Sequence, residues 1–189
     1  MKKILLFTAL ENELRETPKV DGFEVINIIT GIGKVSSAIN AITNIQNHLE
    51  DVFYVINVGT AGSSIKNSGD IVYCNKFKER ELIILDKIYN DEIIEFDLKL
   101  NLTNELLCCT SSDVFVTEGH YEVVDMETFA IAKVCKMYNK PFVSIKYITD
   151  NINNNSESDW TTNLNKSSDM LFEELNELLI SLKKLDDTI

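Results

Sequence analysis

Short apolar runs that alternate with helix-forming segments are the feature that most constrains the fold of this chain. Such runs are typical of strands that are buried on both faces of a sheet. They predict strands over residues 4–9, 23–29, 52–58, 71–74, 106–111 and 141–148. Strands that alternate with helices indicate an α/β fold with a mixed, mainly parallel central sheet.

Apolar residues at helical spacing predict helices over residues 35–49, 125–138 and 159–185. Residues 11–16 follow the first strand as a charged segment with helical potential, and residues 76–105 mix β-branched and charged residues in the manner of an antiparallel hairpin. Neither repeats nor a linker interrupt the pattern. The sequence therefore predicts one domain over residues 1–189, with helices on both faces of the sheet in a three-layer α/β/α fold.

The charge of the chain argues against polyanionic partners. A formal net charge of −12 and only 18 Lys and Arg residues oppose binding to nucleic acid or to anionic membrane surfaces. No apolar run approaches the roughly 20 residues that span a bilayer, and the N-terminus lacks the features of a signal peptide. We expect a cytoplasmic protein that folds alone or as identical subunits, so a homodimer stays open.

The cysteine and histidine residues do not have the spacing of a metal or redox site. Cys74, Cys108, Cys109 and Cys135 lack paired CxxC spacing, and we interpret them as small buried hydrophobic residues. The two histidines, His48 and His120, are too far apart in the sequence to suggest a site, and fit a helix end and a turn. We expect neither a metal nor a cofactor.

Polar and glycine-rich segments follow several of the predicted strands. Ligands of open α/β sheets bind outside the carboxyl ends of the strands, where loops present free backbone amides. This rule selects Glu13, residues 59–64, residues 113–116, Glu127 and Asp150, which could converge on one pocket although they are distant in the sequence.

The same segments carry an ordered family pattern. The pattern consists of residues 9–13 (ALENE), 31–35 (GIGKV), 57–62 (NVGTAG), 69–72 (GDIV), 112–116 (SDVFV), 124–127 (VDME) and 148–150 (ITD). Together they resemble the purine nucleoside phosphorylase and nucleosidase superfamily, and most closely its 5'-methylthioadenosine/S-adenosylhomocysteine nucleosidases. The resemblance implies a nucleoside phosphorylase-like fold and a purine nucleoside, by default one of adenine, as the small-molecule substrate.

The resemblance also implies roles for individual residues. Glu13 would position and deprotonate the attacking water, Glu127 would hold the ribose 2' and 3' hydroxyls, and Asp150 would protonate purine N7. The other implied substrate contacts are Thr149 beside the acid, Met126 against the sugar, Phe115 stacked on the base, Val116 at the base edge, Trp160 closing the pocket, and the loop residues Thr60, Ala61 and Gly62.

The chemistry calls for these residue types in its own right. A departing purine is anionic unless N7 is protonated, so cleavage of the bond to the sugar benefits from a carboxylic acid at the base. Positive charge that develops on the ribose ring is stabilised by a nearby carboxylate, which can also activate water. A vicinal diol is best held by a bidentate acceptor. Asp150, Glu13 and Glu127, respectively, have the required side chains.

Simpler interpretations compete with each assignment. An acidic residue in a first helical turn is commonly a surface charge that stabilises the helix dipole, which would explain Glu13 or Glu127 taken singly. Asp150 could be an ordinary cap, residues 59–62 only a tight turn, and Phe115 only part of the core. The order of the motifs favours the catalytic interpretation.

A phosphorylase needs cationic groups for its phosphate, and the sequence offers few. Where phosphorylases of the superfamily have a phosphate-binding arginine, this chain has the neutral Asn57, and Arg15 is expected on the exposed side of its helix. Water is therefore the favoured nucleophile. A phosphate-dependent phosphorylase and a catalytically inert nucleoside-binding protein remain alternatives. The stretch between Val72 and Leu106 is shorter than in the methylthioadenosine nucleosidases, which leaves the 5' substituent open, futalosine-type nucleosides included.

Overall fold

The computed structural model describes residues 1–83, 93–100, 102, 105–153 and 156–188. Their secondary structure alternates strands with helices, as the apolar runs predict. In chain order the elements are β1 Lys2–Thr8, β2 Phe23–Ile29, α1 Lys34–Asn47, β3 Val52–Gly62, β4 Ile71–Glu79, α2 Arg80–Ile83, β5 Ile94–Glu95, β6 Leu106–Ser111, β7 Val123–Asp125, α3 Thr128–Met137, β8 Phe142–Asp150 and α4 Ser156–Asp186.

The strands form one 8-stranded mixed sheet. Strand β1 pairs in parallel with β2 and β3, β3 with β8, and β6 with β4 and β7. The pairs β3–β7, β4–β5 and β4–β8 are antiparallel. Because β8 pairs with both β3 and β4, the strands β3, β7, β6, β4 and β8 close into a ring. The predicted mixed, mainly parallel sheet is confirmed.

Helices cover both faces of the sheet. Alternate residues of β1 point to opposite sides: Leu5 and Phe7 pack in one core with α1 and α3, whereas Ile4 and Leu6 pack in another with α4. Helix α4 contributes Leu171, Leu175, Leu178, Leu179 and Leu182 to the second core at helical spacing. This arrangement is the expected three-layer α/β/α architecture, and it leaves the strand ends free to form a site.

Two of the predicted elements differ from the structure. Residues 11–16 form turns and not the helix for which their composition has potential, and the Glu13 carboxylate accepts hydrogen bonds from the backbone amides of Ala9 and Leu10. Strand β3 does not stop at Val58 but continues through the glycine-rich segment to Gly62, which pairs with β7 and β8. The prediction that the strand ends at residue 58 and that a loop follows is therefore wrong for residues 59–62, and so is the competing interpretation of a tight turn there.

Smaller differences concern element ends. Strand β4 runs to Glu79, well past the predicted end at residue 74, and helix α3 begins at Thr128. Asp125 instead ends β7, and its carboxylate accepts a hydrogen bond from the Thr128 amide at the start of α3 (3.1 Å). In the region predicted as a hairpin, β5 pairs antiparallel with β4, while residues 84–92, 101, 103 and 104 lie outside the described residues.

The cysteines behave mostly as predicted. Cys74, Cys109 and Cys135 are buried in the core, Cys108 is half-buried, and all four are free thiols. His48 ends helix α1, as expected for a helix-end residue. In the described ranges, no helix is both long and apolar enough to cross a membrane.

Candidate active site

A cavity of about 300 Å³ lies at the carboxyl ends of β1, β3, β7 and β8. It contains all three predicted carboxylates, and each is nearly buried: Glu13 is 4% exposed, Asp150 6% and Glu127 7%. Every residue to which the resemblance gave a role lines it, whereas Gly59, Ser63, Ser64 and Asp113 of the two selected segments are not among the lining residues. The full lining is Ala9, Leu10, Glu13, Ile32, Thr60, Ala61, Gly62, Val114, Phe115, Val116, Val124, Asp125, Met126, Glu127, Thr149, Asp150 and Trp160.

Four hydrogen bonds hold the Glu13 carboxylate. Its Oε2 accepts from the backbone amides of Ala9 (3.0 Å) and Leu10 (3.1 Å), and its Oε1 accepts from the Thr60 amide and hydroxyl (both 2.9 Å). Donors on both oxygens restrict the rotation of the carboxylate. The backbone of β3 and of the turn after β1 therefore fixes this side chain in one orientation.

Two glycines of β3 let carboxylates approach the backbone. A Cβ atom on Gly59 would lie 2.9 Å from Glu13 Oε1, and one on Gly62 would lie 2.8 Å from Asp150 Oδ2. Carbon and oxygen atoms do not pack that closely without displacement. The sequence GTAG in this strand thus gives space to two carboxylates, one at each glycine, which explains why the strand has glycines where β-propensity would favour larger residues.

Asp150 is the last residue of β8. The Thr149 hydroxyl donates to its Oδ1 (3.0 Å) and the Ile152 amide to its Oδ2 (3.3 Å). Ile152 adopts a positive φ of 52°. Thr149 lies beside Asp150 as a hydrogen-bonding partner, the arrangement that the resemblance implied.

Glu127 precedes helix α3 and points toward the start of α1. Its Oε1 accepts a hydrogen bond from the amide of Gly33 (2.8 Å), the residue before α1, whose φ of 94° requires glycine. Burial and the charge of nearby Asp125 raise the pKa of Glu127 to about 8, although Lys146 and the Gly33 amide act in the opposite direction. Burial therefore disfavours the charged form of Glu127.

A buried ion pair lies beneath Glu127. Lys146 Nζ is 2.8 Å from Asp125 Oδ2, and both side chains are at most 2% exposed. Burial alone would lower the pKa of Lys146, but the Asp125 carboxylate raises it, so the lysine remains charged. Burial would likewise raise the pKa of Asp125, yet Lys146 and neighbouring hydrogen-bond donors lower it.

Lys146 was not identified from the sequence, although a signal was present. It is a single lysine inside the apolar run of the last central strand, where a charge needs a buried partner. Asp125 is that partner, so its charge has a structural role.

Among the residues that the structure describes, no lysine, arginine or histidine lines the cavity. Asn57, which stands where a phosphorylase would have its arginine, is buried in the sheet; its amide donates to the Phe7 carbonyl (3.0 Å). Arg15 is exposed, but in a turn and not on a helix. Over the described part of the chain, no group of three His, Cys, Asp or Glu side chains could hold a metal ion.

Two aromatic side chains form the outer wall of the cavity. The rings of Phe115 and Trp160 meet edge to face, with their centroids 5.9 Å apart. The indole Nε1 of Trp160 also donates to the Thr60 hydroxyl (3.0 Å). Phe115 is 42% exposed, so it belongs to the mouth of the cavity and not to the core. Val116, in contrast, is buried.

Comparisons with known proteins agree with this fold. The model of the family described as "Phosphorylase superfamily" matches residues 113–181. A 5'-methylthioadenosine/S-adenosylhomocysteine nucleosidase from Shewanella loihica is 28% identical in an alignment of length 181. The alignment covers 79% of this chain and 78% of the relative. The predicted resemblance is therefore confirmed.

Solved structures give the same result for the fold. A mutant of the Helicobacter pylori 5'-methylthioadenosine/S-adenosylhomocysteine nucleosidase (MTAN), with 5'-methylthioadenosine in its active site, superposes with a TM-score of 0.82 at 19% identity. The superposition covers 95% of this chain and 98% of the other. The futalosine hydrolase of Helicobacter pylori superposes with a TM-score of 0.81 at 19% identity, covering 97% of each chain. The chain has the fold that these hydrolases share.

Proposed function

We propose that this chain hydrolyses the N-glycosidic bond of an adenine-type nucleoside, such as 5'-methylthioadenosine or S-adenosylhomocysteine, and releases the free base. The observation that carries the proposal is the convergence of Glu13, Glu127 and Asp150 on one cavity, whose lining, over the described ranges, includes no cationic side chain. The similar Shewanella loihica protein bears the name of such a nucleosidase, which supports the same reaction class.

In this proposal Asp150 is the general acid at the base. It lies at the end of β8 with Gly62 against its carboxylate and Val116 and Val124 in the same wall, so an aromatic base can lie beside it. Donation of its proton to purine N7 lets the base leave as a neutral molecule. Thr149 and the Ile152 amide orient the carboxyl group for that transfer.

Glu127 binds the ribose diol. Its Oε1 is held by the Gly33 amide, which leaves further acceptor positions of the carboxylate toward the cavity. Two vicinal hydroxyls would supply the hydrogen-bond donors that the buried group otherwise lacks. Met126, the neighbouring wall residue, offers an apolar surface to the sugar ring.

Glu13 receives the proton of the attacking water and stabilises the positive charge that develops on the ribose. Three of its four hydrogen bonds come from backbone amides, so its position is fixed before substrate binds. The fourth comes from the Thr60 hydroxyl, which donates to the same oxygen as the Thr60 amide. Phe115 and Trp160 close the outer side of the cavity over the substrate.

A phosphate-dependent phosphorylase is the main competing function. A phosphate dianion beside Glu13 would face carboxylates without a compensating lysine or arginine among the lining residues, which is electrostatically unfavourable. The absence of such a cation from the wall favours water as the nucleophile.

The test is a substrate panel read by chromatography. Purified protein is incubated with methylthioadenosine, S-adenosylhomocysteine, 5'-deoxyadenosine, adenosine, inosine and futalosine, each with and without phosphate. Release of base from at least one nucleoside without phosphate is expected. Release that requires phosphate would instead indicate a phosphorylase, and tight binding without any base release would indicate an inert binding protein.

A further inference from the structure

The outer wall of the cavity is joined to the nucleophile side by a chain of hydrogen bonds. Trp160 Nε1 donates to Thr60 Oγ1 (3.0 Å), and Thr60 Oγ1 donates to Glu13 Oε1 (2.9 Å). Trp160 also contacts the Phe115 ring at the mouth. We call these three residues, Trp160, Thr60 and Glu13, the indole relay. It spans the cavity from the proposed base-stacking wall to the proposed water-binding carboxylate.

The direction of each hydrogen bond follows from the groups involved. An indole N–H can only donate, and an ionised carboxylate can only accept. The Thr60 hydroxyl has one proton, so it must accept from Trp160 while donating to Glu13. When the indole occupies one lone pair of Oγ1, the hydroxyl proton has fewer alternative orientations, and the orientation toward Glu13 is the one in the structure.

The Thr60 hydroxyl is the adjustable donor of Glu13. The other donors are the backbone amides of Ala9, Leu10 and Thr60, which β3 and the turn after β1 hold in place. Only the hydroxyl can change its direction without backbone movement. Whatever fixes that hydroxyl therefore determines how Glu13 Oε1 is presented to an attacking water.

We propose that Trp160 is a positioning residue, whose indole N–H orients the Thr60 hydroxyl and, through it, the Glu13 carboxylate. The inference rests on the proposed function for its catalytic consequence, but its structural part stands separately. The wall that covers the substrate then also sets the geometry of water activation. A phenylalanine in place of Trp160 would keep the aromatic surface and lose the donor.

The kinetic test is a double-mutant cycle with the best nucleoside of the panel. Trp160→Phe should lower kcat roughly 3- to 10-fold, the range of one ordinary hydrogen bond, with KM changed less than about twofold. In a Thr60→Val background, which lacks the hydroxyl, Trp160→Phe should have no further effect on kcat. An equal decrease in both backgrounds, or an effect on KM alone, would overturn the proposal.

A spectroscopic test does not depend on activity. The chain has one tryptophan, so its indole N–H gives one cross-peak in a ¹⁵N-labelled NMR spectrum. The relay predicts that this cross-peak moves upfield and exchanges faster with solvent in Thr60→Val, stays near the wild-type position in Thr60→Ser, and shifts partly in Glu13→Gln. An unchanged cross-peak in Thr60→Val would overturn the proposal, even if the wild-type protein cleaved no nucleoside and the proposed function failed.

Discussion

Glu13 and Glu127 are held in opposite ways although they share one cavity. Glu13 accepts four hydrogen bonds, three of them from backbone amides, whereas Glu127 accepts one from Gly33 and lies near the charge of Asp125. The first carboxylate is organised by the fold before substrate arrives. The second accepts a hydrogen bond from Gly33, and in the proposed function a ribose diol would supply further donors. The part of the site around Glu13 is therefore formed in advance, whereas the part around Glu127 depends on the ligand.

Replacing each carboxylate by its amide should separate the two regions most strongly. Glu13→Gln puts an NH₂ group against donors, because both oxygens of Glu13 already accept from N–H or O–H groups. We expect turnover to fall roughly 10²- to 10⁴-fold and stability to fall by about 1–3 kcal/mol. Glu127→Gln, the matched control, should reduce turnover with little loss of stability at pH 8. Equal destabilisation by both substitutions, measured by urea unfolding, would show that the fold does not hold Glu13 and Glu127 differently.

The ion pair beneath Glu127 should behave as a structural part of that region. Lys146→Met leaves Asp125 buried without its partner, and we expect a loss of about 3–5 kcal/mol in the free energy of unfolding. The double substitution Lys146→Met with Asp125→Leu removes both charges and should recover part of the loss. If the single variant is as stable as the wild type in thermal and urea unfolding, the pair does not stabilise the fold.

The two β3 glycines allow the carboxylates to be perturbed one at a time. Gly59→Ala would press a methyl group against Glu13, and Gly62→Ala would press one against Asp150. Each should cost about 1–3 kcal/mol by overpacking and lower kcat. In the proposed function Asp150 acts at the base, so Gly62→Ala should weaken the binding of free adenine, whereas Gly59→Ala should leave it nearly unchanged. Calorimetric titration with adenine distinguishes the two variants. Equal weakening of adenine binding would contradict the assignment of Glu13 and Asp150 to different parts of the substrate.

The pH dependence of nucleoside binding should report Glu127. Its pKa of about 8 in the empty site means that the group is mostly protonated below that pH, and a diol binds best to the ionised form. Nucleoside binding should therefore release a proton and tighten as pH rises toward 8, by at most tenfold per unit, and level off above it.

Two controls isolate this effect. Glu127→Gln should bind nucleoside with a nearly flat pH profile, and a 2',3'-dideoxynucleoside should show the same flatness with the wild-type protein. The free energy of unfolding should depend on the same group. The pKa of Glu127 in the folded protein is raised above its ordinary value of 4.5, so its contribution to stability is full below pH 4.5 and is lost as the pH rises through about 8. A wild-type affinity that weakens between pH 6 and 8 would contradict the account of this region.

Much of this site could be predicted from the sequence because its parts follow strand ends. Glu13, Glu127 and Asp150 were selected by that rule and by the ordered motifs, and the structure brings them to one cavity. Their catalytic and binding roles stay predictions. The rule works because the ends of parallel strands meet at one edge of a sheet, whatever their distance in the chain.

The elements that were missed depend on tertiary contacts. The segment after β1 has helical composition, but Glu13 uses its carboxylate on the local backbone and on β3, which no pattern within residues 11–16 reveals. Residues 59–62 look like a turn because glycine weakens strands, yet both glycines are needed for the carboxylates that pack on them. Lys146 was passed over because its partner Asp125 is distant in the sequence.

The most direct measurement follows the oxygen that enters the sugar. Wild-type protein is incubated in ¹⁸O-labelled water with a nucleoside that it cleaves, with phosphate present, and the ribosyl product is analysed by mass spectrometry. The account predicts one ¹⁸O atom in the product per base released, and loss of both signals in Asp150→Asn. A ribosyl phosphate without label, or undiminished base release by Asp150→Asn, would contradict it.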